Sequence, residues 1–94
     1  MITYIDALGL ARDYLEESEI PLEIVYEGEF SEGWFFCYQS KEYLDTGESA
    51  AKLAGNAPFI VDKWTGVLHE FGTAYSLESY LEEYIKLKLE RSSE

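Results

Sequence analysis

The chain has 94 residues, 47% hydrophobic and 28% charged, and its 7 basic against 19 acidic residues leave a formal net charge of -12. That length predicts one domain over residues 1–94 with one modest core, burying roughly 60–70% of the surface an extended chain exposes. Such acidity excludes a basic reader of nucleic acid and disfavours an anionic membrane surface, both of which need clustered Lys and Arg.

The N-terminus predicts an amphipathic helix over about residues 4–17. Tyr4, Ala7, Leu8, Ala11 and Leu15 fall on one stripe, with Asp6, Asp13, Glu16 and Glu17 opposite. Thr3 suits the cap, and Asp6 three residues on completes a capping box. Pro21 bars continuation. Leu22, Ile24, Tyr26 and Phe30 then alternate with Glu23, Glu27 and Glu29, the pattern of a half-buried strand with a negative outer face. Ser31-Glu32-Gly33 fits a hairpin loop. Trp34 to Tyr38 is apolar on both parities, so a central strand covered on both faces is expected.

Residues 41–56 predict a packed loop with a helical turn, long enough to carry function. Pro58 suits the start of a third strand running through Phe59-Ile60-Val61. Asp62-Lys63-Trp64-Thr65-Gly66 has Asp and Gly where a turn wants them. Val67 to Phe71 form the returning strand. A second amphipathic helix follows from about Leu77 to Glu90, capped by Ser76, with Leu77, Tyr80, Leu81 and Tyr84 as its stripe. Lys86, Lys88 and Arg91 near its end complement the helix dipole. The expected fold is α+β in two layers: a four-stranded antiparallel meander sheet with N- and C-terminal helices packed on it.

Catalytic and metal chemistry find little support. One His and one Cys cannot supply a zinc site of imidazole and thiolate ligands. No phosphate-cradling glycine loop or calcium loop is present, so neither metal nor cofactor is expected. A Cys37–His69 pair is conceivable as nucleophile and base, although a small buried thiol and a strand histidine explain both residues without chemistry. A lone cysteine forms no disulfide framework and points to the reducing cytoplasm, and no signal peptide or membrane span is expected.

The charge distribution is more informative. No basic residue occurs between Arg12 and Lys41, an interval holding Asp13, Glu16, Glu17, Glu19, Glu23, Glu27, Glu29 and Glu32. These acids predict one negative surface able to steer a basic partner, or else an edge strand guarded against aggregation. Glu23, Glu27, Glu29 and Glu32 are the candidate partner-binding residues, with Trp64 at a hairpin tip as either a contact or a lid. The sheet needs cover from the long loop or from a second subunit in a homodimer.

The ordered set Gly33-Trp34-Phe35-Phe36-Cys37-Tyr38-Gln39-Ser40, Tyr43-Leu44-Asp45-Thr46-Gly47 and Leu53-Ala54-Gly55-Asn56-Ala57-Pro58 resembles the YrhB-like immunity-protein family (immunity protein 35). Val61-Asp62-Lys63-Trp64-Thr65-Gly66, Gly72-Thr73 and Tyr80-Leu81-Glu82-Glu83-Tyr84 agree with it. The resemblance implies a bacterial cytoplasmic protein, not an enzyme, that binds and neutralises a cognate contact-delivered or polymorphic toxin. A small chaperone-like client-binding role is the alternative it carries. It implies no catalytic residues. Its motif positions Trp34, Gly55, Asn56, Pro58, Asp62, Thr65 and Gly66 look structural.

Overall fold

Thr3 opens the first helix by a reciprocal pair of bonds: its hydroxyl accepts the Asp6 N–H at 3.2 Å, and the Asp6 carboxylate accepts the Thr3 N–H at 3.2 Å. In this computed structural model, which describes residues 1–47 and 57–92, that helix is α1 (Tyr4–Glu16). It is followed by β1 (Leu22–Phe30), β2 (Gly33–Ser40), α2 (Lys41–Thr46), β3 (Phe59–Asp62), β4 (Leu68–Glu70) and α3 (Leu77–Ser92). The strands pair antiparallel in the order β1-β2-β3-β4, the expected meander. The helical turn expected after residue 41 is α2, capped by the Ser40 hydroxyl on the Tyr43 N–H and stopped by Gly47 in the left-handed conformation. Ser76 caps α3 by accepting the Ser79 N–H at 3.2 Å. Gly55 and Asn56 lie outside the described residues.

β1 departs from simple alternation. Ile24 pairs with Tyr38 and Tyr26 with Cys37, so Val25 is an extra residue, a β-bulge. A one-residue bulge exchanges the faces of everything beyond it. Leu22 and Ile24 therefore share a face with Glu27 and Glu29, which pair with Phe36 and Trp34. Tyr26, Gly28 and Phe30 turn to the opposite face with Glu23. The expected single face of glutamates is thus divided. Three consecutive apolar residues, Ile24-Val25-Tyr26, are what strict alternation cannot accommodate.

The core lies under α1. Ala7 and Ala11 are small enough to bring the helix down on the sheet, and with Leu15 they are buried against Trp34, Phe36, Phe59 and Val61. Phe36 and Phe59 stack at 5.5 Å, and Tyr14 lies 4.8 Å from Phe59. At roughly 1.5–3 kcal/mol per fully buried large apolar side chain, this cluster is the main favourable contribution on that face. α3 contacts residues of the other parity: Phe30, Asp62, His69 and Phe71. The helices therefore sit on opposite faces, giving three layers where two were expected. No described α3 side chain is fully buried. Its attachment uses an aromatic ladder, with Phe71 stacked on Tyr80 at 5.2 Å and His69 against Tyr84 at 5.4 Å. The Tyr80 hydroxyl also accepts the Ala74 and Tyr75 N–H groups, closing the connection that precedes the helix.

Besides Gly47, two more glycines are required by geometry. Gly66 has φ +74, completing the turn in which its N–H donates to the Asp62 carbonyl at 2.8 Å. Gly33 has φ +155, and a Cβ there would stand 2.1 Å from the Val61 carbonyl oxygen. Neighbouring backbone cannot yield as a side-chain tip can. Gly33→Ala is therefore expected to destabilise the fold by roughly 2–4 kcal/mol in urea unfolding at neutral pH, strain and overpacking combined. Unchanged stability would contradict this packing.

Candidate functional site

Asp62 ends β3 with no exposed surface and its carboxylate fully engaged. Oδ1 accepts the Trp64 N–H at 2.8 Å and the Thr65 N–H at 3.1 Å, which is the turn chemistry its position suggested. Oδ2 accepts the Tyr84 hydroxyl and the Lys88 ammonium, both at 2.6 Å. Lys88 also reaches Glu32 at 3.2 Å. Burial alone pushes the Asp62 carboxyl up, but the Lys88, Tyr84 and backbone bonds outweigh it and hold the pKa at about 2, below the ordinary 3.8. Burial likewise pulls Lys88 down, and its bonds to Asp62 and Glu32 more than restore it, so its pKa is raised. Lys88 therefore bridges two hairpin turns to the last helix, beyond the dipole role its sequence position suggested.

The candidate partner-binding residues separate into two groups. At the turn end, Glu29 pairs with Lys63 at 2.9 Å, and the Lys63 ammonium stands 5.5 Å from the centre of the Trp34 ring. Glu32 is held by Lys88. Trp64 is 56% exposed at the neighbouring β3–β4 turn. The interval without basic residues in sequence thus receives Lys63 and Lys88 from later in the chain. The other group lies toward the opposite end of β1. Glu23 is exposed, and Glu27 accepts the Tyr4 hydroxyl, a bond that raises the Tyr4 pKa.

Glu23 and Glu27 line an open cleft of about 920 Å³ between α1 and β1. Tyr4, Leu8 and Leu15 form the helix side, and Leu22, Ile24 and Val25 the strand side. Four carboxylates, Glu16, Glu19, Glu23 and Glu27, stand in it against two cations, Arg12 and Lys41. Among the described residues Glu16, Glu19 and Glu23 form no ion pair. Ile20, Val25 and Tyr26 each leave 45% or more of their surface in solvent at this cleft. The result is an apolar floor with an acidic rim, suited to a ligand that is basic and partly apolar. Charge spacing revealed the acids, but the cleft needs the α1–β1 packing and the bulge.

Cys37 and His69 do not meet. They stand on β2 and β4 with β3 between them and out of register, at least about 10 Å apart across two strand spacings. Burial raises the Cys37 thiol pKa, the opposite of activation. Among the described residues no group of three or more His, Cys, Asp or Glu side chains is arranged to hold a metal ion, and no helix is long and apolar enough to cross a membrane.

Meander sheet, flanking helices and acid-rimmed cleft define a small α+β domain whose salient surface feature is that open cleft. Residues 6–85 match the family described as Immunity protein 35, and the chain belongs to that family. It is also 52% identical over 84 residues to the uncharacterized protein YrhB of Escherichia coli (strain K12), an alignment covering 89% of each chain. No solved structure matches it.

Three outcomes test this geometry. The depressed Asp62 pKa stabilises the fold fully above 3.8, and the contribution, roughly 2 kcal/mol, is lost as pH falls through about 2. Lys88→Met should lower stability in urea at pH 7 and move the acid transition upward, because Asp62 then protonates more readily. Asp62→Ala should cost about 2–4 kcal/mol, because the Trp64 and Thr65 N–H groups and the Tyr84 hydroxyl lose their acceptor while Lys88 keeps Glu32. An acid midpoint identical in Lys88→Met and the parent would show that the pair is not formed. Cys37 should react with a disulfide reagent at neutral pH at least about tenfold more slowly than free cysteine. Faster reaction would reveal an activated thiol.

Proposed function

We infer that this chain is an immunity protein that binds and neutralises a cognate protein toxin by occupation, without a catalytic step of its own, in the bacterial cytoplasm. Membership of the immunity protein 35 family carries the inference. The acid-rimmed cleft supports it, since neutralisation by occupation requires complementary shape and charge rather than reactive groups. A basic toxin surface, such as one that receives phosphate groups in a nuclease, is the complement that Glu16, Glu19, Glu23 and Glu27 would meet. Glu29 and Glu32 are weaker candidates because Lys63 and Lys88 already hold them. A net charge of -12 extends the attraction beyond contact range at low ionic strength.

Co-expression with the toxin encoded beside it should restore growth of a bacterial host that the toxin alone arrests. No rescue, together with no complex between the purified proteins, would refute the assignment. Where a complex forms, reversing both Glu19 and Glu23 to Lys should slow association roughly tenfold at low salt and leave dissociation less affected, as rim charges do. Stopped-flow association rates across a salt series measure this. Rates unchanged at low salt would take the cleft acids out of the encounter.

A further inference from the structure

Among the described residues, the outer margin of β1 has unfilled hydrogen-bonding positions as well as charge. The Glu32 carbonyl accepts the Lys63 N–H at 2.9 Å, so the even-numbered residues of β2 direct their backbone groups to β3 and the odd-numbered ones to β1. The Lys41 N–H, which donates to the Pro21 carbonyl at 3.0 Å, continues the odd series. Leu22, Ile24, Glu27 and Glu29 pair with even-numbered β2 residues, so their N–H and C=O groups point away from the sheet. Among the described residues no backbone group bonds to them from outside. Leu22, Ile24 and Glu27 also line the cleft.

We propose that the outer edge of β1 is a strand-addition site, at which an extended segment of a protein partner with alternating basic and apolar residues becomes a fifth strand lying in the cleft. The two faces of such a strand fit what flanks it. On the α1 side it meets Leu8, Leu15, Leu22 and Ile24, with Glu27 farther along the same face; on the other it meets Glu23 and Tyr26, and Glu16 and Glu19 add to the acidic lining. Backbone bonds supply affinity, and alternate side chains supply selection. The acids also oppose a second copy of the same chain, which would bring like charges together at the new pairing. The proposal rests on the toxin-neutralisation inference only for the partner's identity, and its test is separable.

The probe is an acetylated and amidated octapeptide of alternating Val and Lys, added at low salt to the isotope-labelled full chain. The expected result is saturable movement of the backbone amide signals of residues 22–29, with slowed hydrogen exchange at Leu22, Ile24 and Glu27. N-methylation of the peptide's alternate amides, which removes donors but not charge, should weaken binding by at least about tenfold. Glu27→Pro removes an outward N–H at a position where an edge strand tolerates proline, and should weaken binding well beyond Glu27→Ala, which loses the same carboxylate. If Glu27→Pro does not fold, the N-methyl comparison decides. No binding at about 1 mM peptide, equal binding of the N-methylated form, or signals moving on another surface would overturn the proposal. So would a dimer of the chain that Glu27→Pro abolishes. Toxin rescue that is undiminished by Glu27→Pro would overturn strand addition and leave neutralisation standing; edge binding of the peptide without toxin rescue would do the reverse.

Discussion

A carboxylate withdrawn from water is tolerable only when its lone pairs are filled, and Asp62 meets that demand from two parts of the chain. The backbone of its own turn fills one oxygen, and Tyr84 and Lys88 of α3 fill the other. Lys88 then extends the network to Glu32 in the first hairpin. α3 has no fully buried described side chain, so an apolar stripe alone would attach it weakly. Replacing a satisfied buried ion pair by apolar residues is often neutral for stability, but removing one member is costly. Asp62 thus fixes where α3 docks, while the aromatic ladder supplies contact area around it.

With α3 attached from that face, the other face is left to α1, and the bulge at Val25 decides what α1 confronts. Without the extra residue, the strand would carry Tyr26 and Phe30 beneath α1 and put Glu27 and Glu29 with Glu23. With it, Glu27 reaches Tyr4 and Glu29 reaches Lys63, while Phe30 reaches Tyr84. A single inserted residue therefore links the core on one face to the aromatic ladder on the other. It also creates the change in strand direction beside which the cleft lies.

Much of this was legible in the residues. Helix limits followed from the capping box at Thr3 and Asp6 and from Pro21, because those signals act locally. The meander followed from two short turns between apolar runs. Parity beyond Ile24 was not recoverable by alternation, since a bulge depends on how β1 meets β2. The pairing of Lys63 and Lys88 with the glutamates was equally hidden, because those contacts span more than thirty and more than fifty positions. Asp62 illustrates the division well. Its turn role is written in the Asp-to-Gly spacing, whereas its hold on α3 depends on Tyr84 and Lys88 arriving from a distant helix.

The acids of β1 were open to two explanations at the level of sequence, protection of an edge or attraction of a partner, and the fold shows that these need not compete. Like charges along a strand discourage pairing with an identical strand by Coulomb repulsion across a short gap. The same field lowers the energy of a basic strand approaching the same hydrogen-bonding groups. Edges guarded by proline or by a covering helix exclude every comer, because they remove the donors or block access. β1 uses charge and a bulge, and keeps the backbone groups of Leu22, Ile24 and Glu27 directed outward beside the acid-rimmed cleft. An edge defended in that manner is selective rather than closed. Selectivity by charge alone is coarse; at the proposed site, apolar Leu22 and Ile24 on the α1 side and Glu23 on the other would ask a partner for a pattern as well as a sign.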